Sequence, residues 1–394
     1  MATEDNRKAQ NDMVSTSLTK RRKIILLYAS AGAGHRSASE AVHRSVLELE
    51  PEVDIQMIDI LDYMPKIISQ LYSEGYILVV SKYPMLWYFL YETGSDLTHF
   101  KPSGFWYRVC WQTLLRRLFV MLKREEPDLI ISSHFLSSWA AGLYKRKYNI
   151  RCRVATIVTD YGVHPVWITP SHDYLFVATE QLKSELLPFS RFIGTDKIVS
   201  VGIPIKSIFG RPRDIGALRH KFNLDPDRRT ILILGGMFGS RNIKDILFWL
   251  SDSKVPLQII VVAGKHYPIM ERVKEKLIKK DIKYQLYGYV DFMDELMALS
   301  DLAITKAGAL TTTECLASGL PLVIFRPYPG QEVRNCDYFL EQGVGVRVDQ
   351  IAGLCHKIDT ILLEPGRLDQ MKQRAVNTAR SDAARNIAKI LLDF

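Results

Sequence analysis

A turn of small residues at positions 306–310, Lys-Ala-Gly-Ala-Leu, is the part of the chain best suited to chemistry. It follows an apolar run and leads directly into a predicted helix, so backbone N–H groups at the helix start face the edge of a sheet. Such groups, with the helix dipole behind them, suit a diphosphate. Glu314 lies about one helical turn further on, where its carboxylate can accept hydrogen bonds from a ribose diol. Gly308 alone fits a simple tight turn and Glu314 alone a solvated helix residue, but their order and spacing favour a nucleotide-sugar site.

A second candidate site lies in the first half of the chain, at the ends of predicted strands. The loop Ala-Ser-Ala-Gly-Ala-Gly-His at 29–35 joins the apolar run 24–28 to a helix. Its last residue, His35, is either a structural cap or a catalytic base. Its place at the C-terminal edge of a first parallel strand, where such folds bind ligands, favours the base. His134 and Asp160 also stand at the ends of apolar strands, so we expect all three side chains at one edge of a sheet.

These residues need strands and helices to hold them, and the apolar pattern predicts both. Apolar runs of strand length that alternate with helical stretches indicate parallel strands joined by crossovers. Strands are predicted at 24–28, 53–60, 127–133, 154–159, 199–204, 230–234, 257–263, 284–290, 302–305, 321–325 and 344–348, and helices at 36–49, 243–250, 311–318, 335–342 and in the closing stretch to 394. A second glycine-rich turn, at Gly235 and Gly236, begins the pattern again. The predicted fold class is α/β, with two doubly wound, Rossmann-like domains facing each other across a cleft.

The domain organisation follows from these elements. Residues 1–22 are polar and end in basic residues, which predicts a disordered basic tail. Residues 23–205 form the predicted N-terminal domain, and residues 206–370 the C-terminal domain with the nucleotide motif. Residues 371–394 are predicted to form a helix that packs back on the N-terminal domain.

Composition limits the function classes. The chain has 394 residues, a net charge of +9 and a pI near 9.1, which favour an anionic partner such as phospholipid, nucleic acid or nucleotide. No zinc knuckle, aromatic RNA-binding strand or basic helix of the nucleic-acid-reading kinds is found, so nucleic acid is not an expected partner. The five cysteines show no metal spacing and are typical of a reduced cytoplasmic protein. No apolar run is long enough to span a bilayer, and no signal-peptide core is present.

The stretch 63–124 departs from an ordinary strand–helix repeat. It mixes aromatic residues such as Trp87 and Trp106 with basic residues such as Lys101 and Arg116. Aromatic rings and long basic side chains together suit the headgroup layer of an anionic membrane surface. The alternative is that the rings pack helices onto the sheet. The first interpretation predicts a cytoplasmic protein that attaches peripherally to membranes.

Four motifs resemble one family. KAGALTTTECLASGLPLVIFRPYPGQE at 306–332 closely resembles the donor segment of the monogalactosyldiacylglycerol synthase and processive diacylglycerol glucosyltransferase family, within glycosyltransferase family 28. SAGAGHRSASEAV at 30–42 is similar to the family's glycine-histidine loop, although Ala31 and Ala33 replace usual glycines. VTDYGVHPVWITPSHDYLFVATE at 158–180 and YGYVDFM at 287–293 resemble its acceptor and uracil-reading segments.

The resemblance implies a GT-B enzyme and assigns roles to individual residues. His35, Asp160 and Glu332 would be catalytic, with His35 the first choice of base and Asp160 the second. The acceptor would be bound by Gly34, His35, His134, His164 and Trp167. The donor would be bound by Gly235, Gly236, Phe292, Met293, Lys306, Gly308, Ala309, Leu310, Thr311, Glu314, Gln331 and Glu332.

The implied activity is inverting transfer of a hexose, galactose or glucose, from a UDP-sugar to diacylglycerol. No metal and no further cofactor are expected, because no Asp-x-Asp site stands in a suitable place. Two alternatives stay open at this point. One is a murein-type transferase that moves N-acetylglucosamine from UDP to a lipid-linked acceptor. The other is a nucleotide-sugar-binding protein without turnover.

Overall fold

A computed structural model describes residues 21–393 except 31, 73–74, 76–82, 84, 86–88, 90–112, 169–170, 190–193 and 274–282. Most of the aromatic and basic stretch at 63–124, and residues 1–20 of the predicted tail, therefore lie outside the described residues. The first half contains β1 (Lys23–Tyr28), α1 (Ala33–Leu49), β2 (Asp54–Asp59), α2 (Arg116–Glu125), β3 (Leu129–Ser132), α3 (Phe135–Tyr148), β4 (Arg153–Ile157), β5 (Tyr174–Val177), α4 (Glu180–Leu186) and β6 (Ile198–Ser200). The second half contains α5 (Ile215–Lys221), β7 (Arg229–Leu234), α6 (Gly239–Leu250), β8 (Leu257–Val262), α7 (Tyr267–Val273), β9 (Lys283–Tyr287), α8 (Met293–Leu299), β10 (Leu302–Thr305), α9 (Ala309–Ala317), β11 (Leu322–Phe325), α10 (Gln331–Glu341), β12 (Gly345–Val348), α11 (Leu354–Leu363), α12 (Arg367–Thr378) and α13 (Ala383–Leu392).

The strands form two six-stranded sheets, one in each half. The order is β2-β1-β3-β4-β5-β6 in the first sheet and β12-β11-β10-β7-β8-β9 in the second. Every neighbouring pair is parallel. The strand order reverses between β1 and β3 in the first sheet and between β7 and β10 in the second. Ligands of doubly wound sheets bind at the carboxyl ends of the strands at such a point, so each sheet offers one crevice. The predicted fold class is confirmed.

Several elements differ from the sequence prediction: α6 begins at Gly239 rather than at 243, β6 ends at Ser200 rather than at 204, and β5 and α10 differ as follows. Strand β5, of four residues, was not predicted, although Pro170, Ser171 and Asp173 before its apolar run are typical turn residues. Helix α10 begins at Gln331, not at 335 as predicted, and Gly330 precedes it with a φ of 88°. A positive φ of this kind suits glycine, so the Pro-Gly pair acts as the entry to the helix. Gln331 and Glu332 therefore lie in the first turn of a helix.

The final helix returns to the first half. Helix α13 packs along α1, and the side chains of Ile387 and Leu391 are fully buried with Ile24 and Leu26 of β1. The core of the first sheet is therefore completed by residues that follow the whole second half in sequence.

A buried histidine lies beneath the first sheet's crevice. His172 is 3% exposed, and its Nε2 is 2.7 Å from Ser138 Oγ in the first turn of α3 and 3.2 Å from Thr156 Oγ1 in β4. Its Nδ1 has no hydrogen-bond partner in the described structure. Burial lowers the pKa of His172 to about 3, while Asp173 raises it and Lys145 lowers it.

We expect His172→Gln to make stability less sensitive to acid. The folded pKa of His172 lies below the unfolded value, so the unfolded chain binds the extra proton as the pH falls below about 6.5. As the pH falls from that value to the folded pKa, this single group therefore lowers the free energy of unfolding by about 1.4 kcal/mol per pH unit. The raised carboxyl pKa values described below act in the opposite direction, so the test is the difference between wild type and variant. Thermal melts from pH 7.5 to 4.5 should show a steeper fall of Tm in the wild type. Parallel curves would contradict the assignment.

Candidate active site

The start of helix α9 provides the donor side of the site. Strand β10 is fully buried and ends at Thr305, and the helix begins at Ala309 after Gly308. Among the described residues no side chain caps this helix start, whereas Thr312 and Thr313 direct their hydroxyls to the carbonyl oxygens of Gly308 and Ala309. Backbone N–H groups of the first turn are thus left for a ligand, as expected for an anion site. Leu310 is buried and Thr311 half-buried.

Lys306 lies behind this turn and is covered by residues of the next loop. Its side chain is 7% exposed, and Nζ is 2.9 Å from the ring centroid of Tyr328. Burial lowers the pKa of Lys306, although the charge of Glu332 opposes the shift. Glu332 itself accepts a hydrogen bond from the Tyr328 backbone N–H at 2.7 Å, and burial raises its pKa. Gln331 beside it is half-buried. Lys306, Gln331 and Glu332 therefore lie close together in the second half, at the start of α10.

Glu314 lies on α9 where the sequence predicted it. It is half-buried, and burial raises its pKa to about 7, while the charge of Lys206 lowers it. Burial disfavours the charged form of this carboxylate, so a ligand that donates hydrogen bonds to it would stabilise that form.

The remaining donor residues lie on neighbouring loops of the second sheet. The turn after β7 holds Gly235, where a β-carbon would lie 2.6 Å from Ile243 Cδ1, so a larger residue there would displace the Ile243 side chain. Gly236 is exposed with open space above it. Phe292 packs on Tyr287 with ring centroids 5.7 Å apart, and Met293 begins α8. The loops after β7, β9 and β10 thus bring these residues to one edge of the sheet.

His35 provides the other side of the site. It lies in the first turn of α1, and its Nδ1 is 2.8 Å from the carbonyl oxygen of Ser133 and 3.1 Å from Thr159 Oγ1. A carbonyl oxygen only accepts, so Nδ1 carries the proton and Nε2 keeps a free lone pair. Burial lowers the pKa of His35 to about 4, although the bond to Ser133 opposes the shift. The imidazole is therefore neutral at pH 7 and able to accept a proton at Nε2.

The other predicted acceptor residues differ in burial, and His134 is the one in contact with the His35 ring. His134 is buried, its ring centroid is 4.5 Å from that of His35, and its Nδ1 accepts from the Leu136 N–H. His164 is half-exposed and accepts from the Val166 N–H. Trp167 is 3% exposed and packs edge-on against Phe135, so it has core partners that its loop sequence did not suggest. Its contact with the acceptor stays a prediction.

The two halves touch at this site. A β-carbon at Gly34 in α1 would lie 3.5 Å from Leu310 Cδ2 in α9, so the two helix starts face each other. Asp160 lies after β4 and accepts a hydrogen bond from Asn335 Nδ2 of the second half at 3.2 Å. Burial raises the pKa of Asp160 to about 7, and the charge of Glu332 adds to the shift, while the bond from Asn335 opposes it.

Residues that the sequence analysis missed make this junction. Asn335, Arg334 and Tyr161 all bond between the halves. A signal for Asn335 exists in retrospect: once α10 is known to begin at Gln331, Asn335 lies four residues further on the same helix face. Within the described ranges, no group of three or more His, Cys, Asp or Glu side chains is arranged to hold a metal ion. None of the described helices has the length and apolarity needed to cross a membrane.

Two Rossmann-like sheets that meet at a cleft, with an open helix start on one side and a neutral histidine on the other, place the protein in the GT-B fold class. The class agrees with the solved structures that this chain is similar to. Acinetobacter baumannii MurG superposes with a TM-score of 0.62 at 15% identity, over 95% of this chain and 100% of that one. The UDP-GlcNAc 2-epimerase from Neisseria meningitidis bound to UDP-GlcNAc superposes with a TM-score of 0.62 at 14% identity, over 94% and 100%. At these identities the likeness shows the fold.

Sequence comparisons give the family. Residues 35–205 match the monogalactosyldiacylglycerol (MGDG) synthase model, and residues 230–387 match the glycosyltransferase family 28 C-terminal domain. The processive diacylglycerol beta-glucosyltransferase of Bacillus subtilis (strain 168) is 26% identical over 364 residues, which are 89% of this chain and 90% of the relative. That of Bacillus mycoides (strain KBAB4) is 27% identical over 381 residues, 95% and 94%. The chain belongs to the monogalactosyldiacylglycerol synthase and processive diacylglycerol glucosyltransferase family, as its motifs predicted.

Proposed function

We propose that the protein transfers a hexose from a UDP-sugar to the free hydroxyl of diacylglycerol, with inversion at the anomeric carbon. The observation that carries the proposal is the pairing of the open start of α9 with the free Nε2 of His35 across the same cleft. The family and the names of the Bacillus relatives support diacylglycerol as the acceptor.

The proposed reaction is a single displacement. The acceptor oxygen bonds to the anomeric carbon while the bond from that carbon to the UDP phosphate oxygen breaks. The hydroxyl proton passes to Nε2 of His35, which is neutral and unprotonated there at pH 7. UDP leaves as an anion, and the first-turn N–H groups of α9 together with Lys306 stabilise its charge. Asp160, whose pKa lies near 7, orients the acceptor or is the alternative base.

The donor's parts are assigned to separate residues. Gly235 and Gly236 give the chain close approach to the donor, and the loop with Phe292 and Met293 reads the uracil. Glu314 accepts from the ribose diol, and Gln331 and Glu332 hold the sugar hydroxyls. Because the first-turn N–H groups of α9 and Lys306 stabilise the negative charge of UDP, we propose that transfer needs no metal ion and no further cofactor.

Incubation with each UDP-hexose and diacylglycerol tests the proposal. We expect UDP release that depends on the lipid, and a glycosyldiacylglycerol product by mass and sugar analysis that also identifies galactose or glucose. Chelator should leave the rate unchanged. UDP-N-acetylglucosamine with a lipid-linked acceptor is the comparison: a product there and none with diacylglycerol would overturn the proposal in favour of a murein-type reaction.

We also propose that the first half attaches to an anionic membrane surface. Among the described residues, Ile67 and Leu71 are 78% and 68% exposed in the stretch before the undescribed part, and Val120 on α2 is 63% exposed. Arg116 and Arg117 on α2 are exposed as well. Apolar side chains can enter the headgroup layer while basic ones meet anionic lipids.

Replacing Arg116, Arg117 and Lys123 with alanine is expected to remove the preference for anionic vesicles. Each basic residue near an anionic surface contributes about 1 kcal/mol, and salt screens that attraction. Apolar insertion is not screened, so wild-type binding should fall only partly at high salt. Sedimentation with neutral and anionic vesicles measures both effects.

The matched control removes three exposed charges elsewhere, at Arg241, Arg272 and Lys389. It changes net charge equally and should keep the anionic preference. Equal loss in the two triple variants would show that net charge, not this surface, drives binding.

A further inference from the structure

One asparagine side chain joins the two halves of the protein at the cleft. Asn335 lies in the second turn of α10 and is 1% exposed. Its Nδ2 donates to Asp160 Oδ1 at 3.2 Å and to the carbonyl oxygen of Ala307 at 3.0 Å. Its Oδ1 accepts from the Tyr161 backbone N–H at 2.7 Å. The amide therefore connects the loop after β4, on the acceptor side, with the turn before α9, on the donor side.

Neighbouring contacts already hold these segments together. The Tyr161 hydroxyl is 2.9 Å from Thr313 Oγ1, and Arg334 Nη1 donates to the Val163 carbonyl oxygen at 2.9 Å. A β-carbon at Gly162 would lie 2.8 Å from Arg334 Cβ, so a glycine is needed for this close approach. These contacts hold the halves together without Asn335. The particular contribution of Asn335 is its hydrogen bond to the Asp160 carboxylate.

Burial destabilises the charged form of the Asp160 carboxylate. Burial and the charge of Glu332 both raise the pKa of Asp160, and the hydrogen bond from Asn335 is the interaction that lowers it. Glu332 stands one helical turn before Asn335 on α10. Hydrogen bonds to an ionised group are stronger than neutral ones, so an amide N–H at this place favours the carboxylate form.

We propose that Asn335 is a positioning residue for transfer, whose amide fixes the Asp160 carboxylate against the donor turn. Asp160 then has its working geometry only while the loop after β4 and the turn before α9 are held together. The inference rests on the proposed function for its kinetic readout, whereas the titration of Asp160 can be measured without any turnover.

Titration of Asp160 in the full chain is the first measurement. Aspartate labelled with carbon-13 at the side-chain carboxyl is followed by NMR, and Asp160→Asn identifies the signal. Asn335→Ala should raise the Asp160 midpoint by about one pH unit. Asn335→Leu is close in shape and carries neither hydrogen-bond donors nor a charge, so it should raise the midpoint as well. This second variant is titrated instead if Asn335→Ala does not fold. A midpoint unchanged in the folded variant would overturn the proposal.

A kinetic double-mutant cycle is the second measurement. Asn335→Ala alone should lower kcat about tenfold and move the acid limb of its pH profile upward, with UDP affinity changed less than about threefold. In an Asp160→Asn background the same substitution should lower kcat less than about twofold. If Asn335→Ala lowers kcat by the same factor in the Asp160→Asn background as in the wild type, the proposal is overturned.

Arg334→Ala is the matched control, because it removes a bond between the halves that does not involve Asp160. It should leave the Asp160 titration where it is; an equal shift in this variant would assign the effect to general loosening and overturn the specific role. If the wild type transfers no hexose to diacylglycerol, the proposed function is wrong, and the NMR titration still decides the role of Asn335.

Discussion

Replacing His35 with alanine is expected to lower hexose transfer by about a thousandfold while UDP affinity stays within about threefold of wild type. General bases contribute roughly a hundredfold to ten-thousandfold. His35 is held by Ser133 and Thr159 of the first half, and its Nδ1 proton is committed to the Ser133 carbonyl oxygen. The donor residues belong to the second half, so their binding of UDP should not require the imidazole. Product formation and calorimetry with UDP are measured on the same preparations.

His43→Ala is the control for this experiment. His43 is a half-buried histidine on the same helix, eight residues further on, and lines a small cavity with Lys206. It should transfer hexose at the wild-type rate. Full retention of transfer by His35→Ala would remove the base assignment and move it to Asp160, whose pKa near 7 also suits a base at neutral pH.

Glu314→Ala is expected to weaken UDP binding about tenfold or more, whereas Glu332→Ala should mainly lower turnover. Glu314 lies on α9 behind the proposed diphosphate site, and burial raises its pKa to about 7, so hydrogen bonds from the two hydroxyls of a ribose would stabilise its charge. Glu332 lies beside Lys306 at the start of α10, where the hexose is proposed to bind. Calorimetry with UDP alone, compared with kcat for the UDP-sugar, separates the two roles.

Two further variants sharpen the comparison. Glu332→Gln keeps an oxygen that can accept from the Tyr328 N–H, so it distinguishes loss of charge from loss of the loop. Glu341→Ala, at the exposed end of the same helix, should change neither quantity. Equal loss of UDP affinity in Glu314→Ala and Glu332→Ala would remove the proposed division of roles.

Local pattern predicted the elements well because apolar strand runs and small-residue turns are signals carried by neighbouring residues. Eleven of the twelve described strands, the turn before α9 and the family all followed from such signals. Contacts such as Asn335 with Asp160 join residues 175 apart in sequence, and no local pattern marks them. The start of α10 was misplaced because Pro-Gly at 329–330 is typical of a turn, and the positive φ of Gly330 became visible only in the structure. The catalytic and binding roles of the site residues stay predictions.

The return of α13 to the first sheet affects the order in which the protein is completed on the ribosome. Strand β6 ends at Ser200, yet the residues that cover Ile24 and Leu26 are not synthesised until Ile387 and Leu391. At translation rates of 5–20 residues per second, that interval lasts about 10–40 s. During it, the nascent first half exposes an apolar groove along α1 that chaperones or neighbouring chains can occupy. The first half is therefore synthesised first, but its core is completed only when α13, the last helix, has been synthesised.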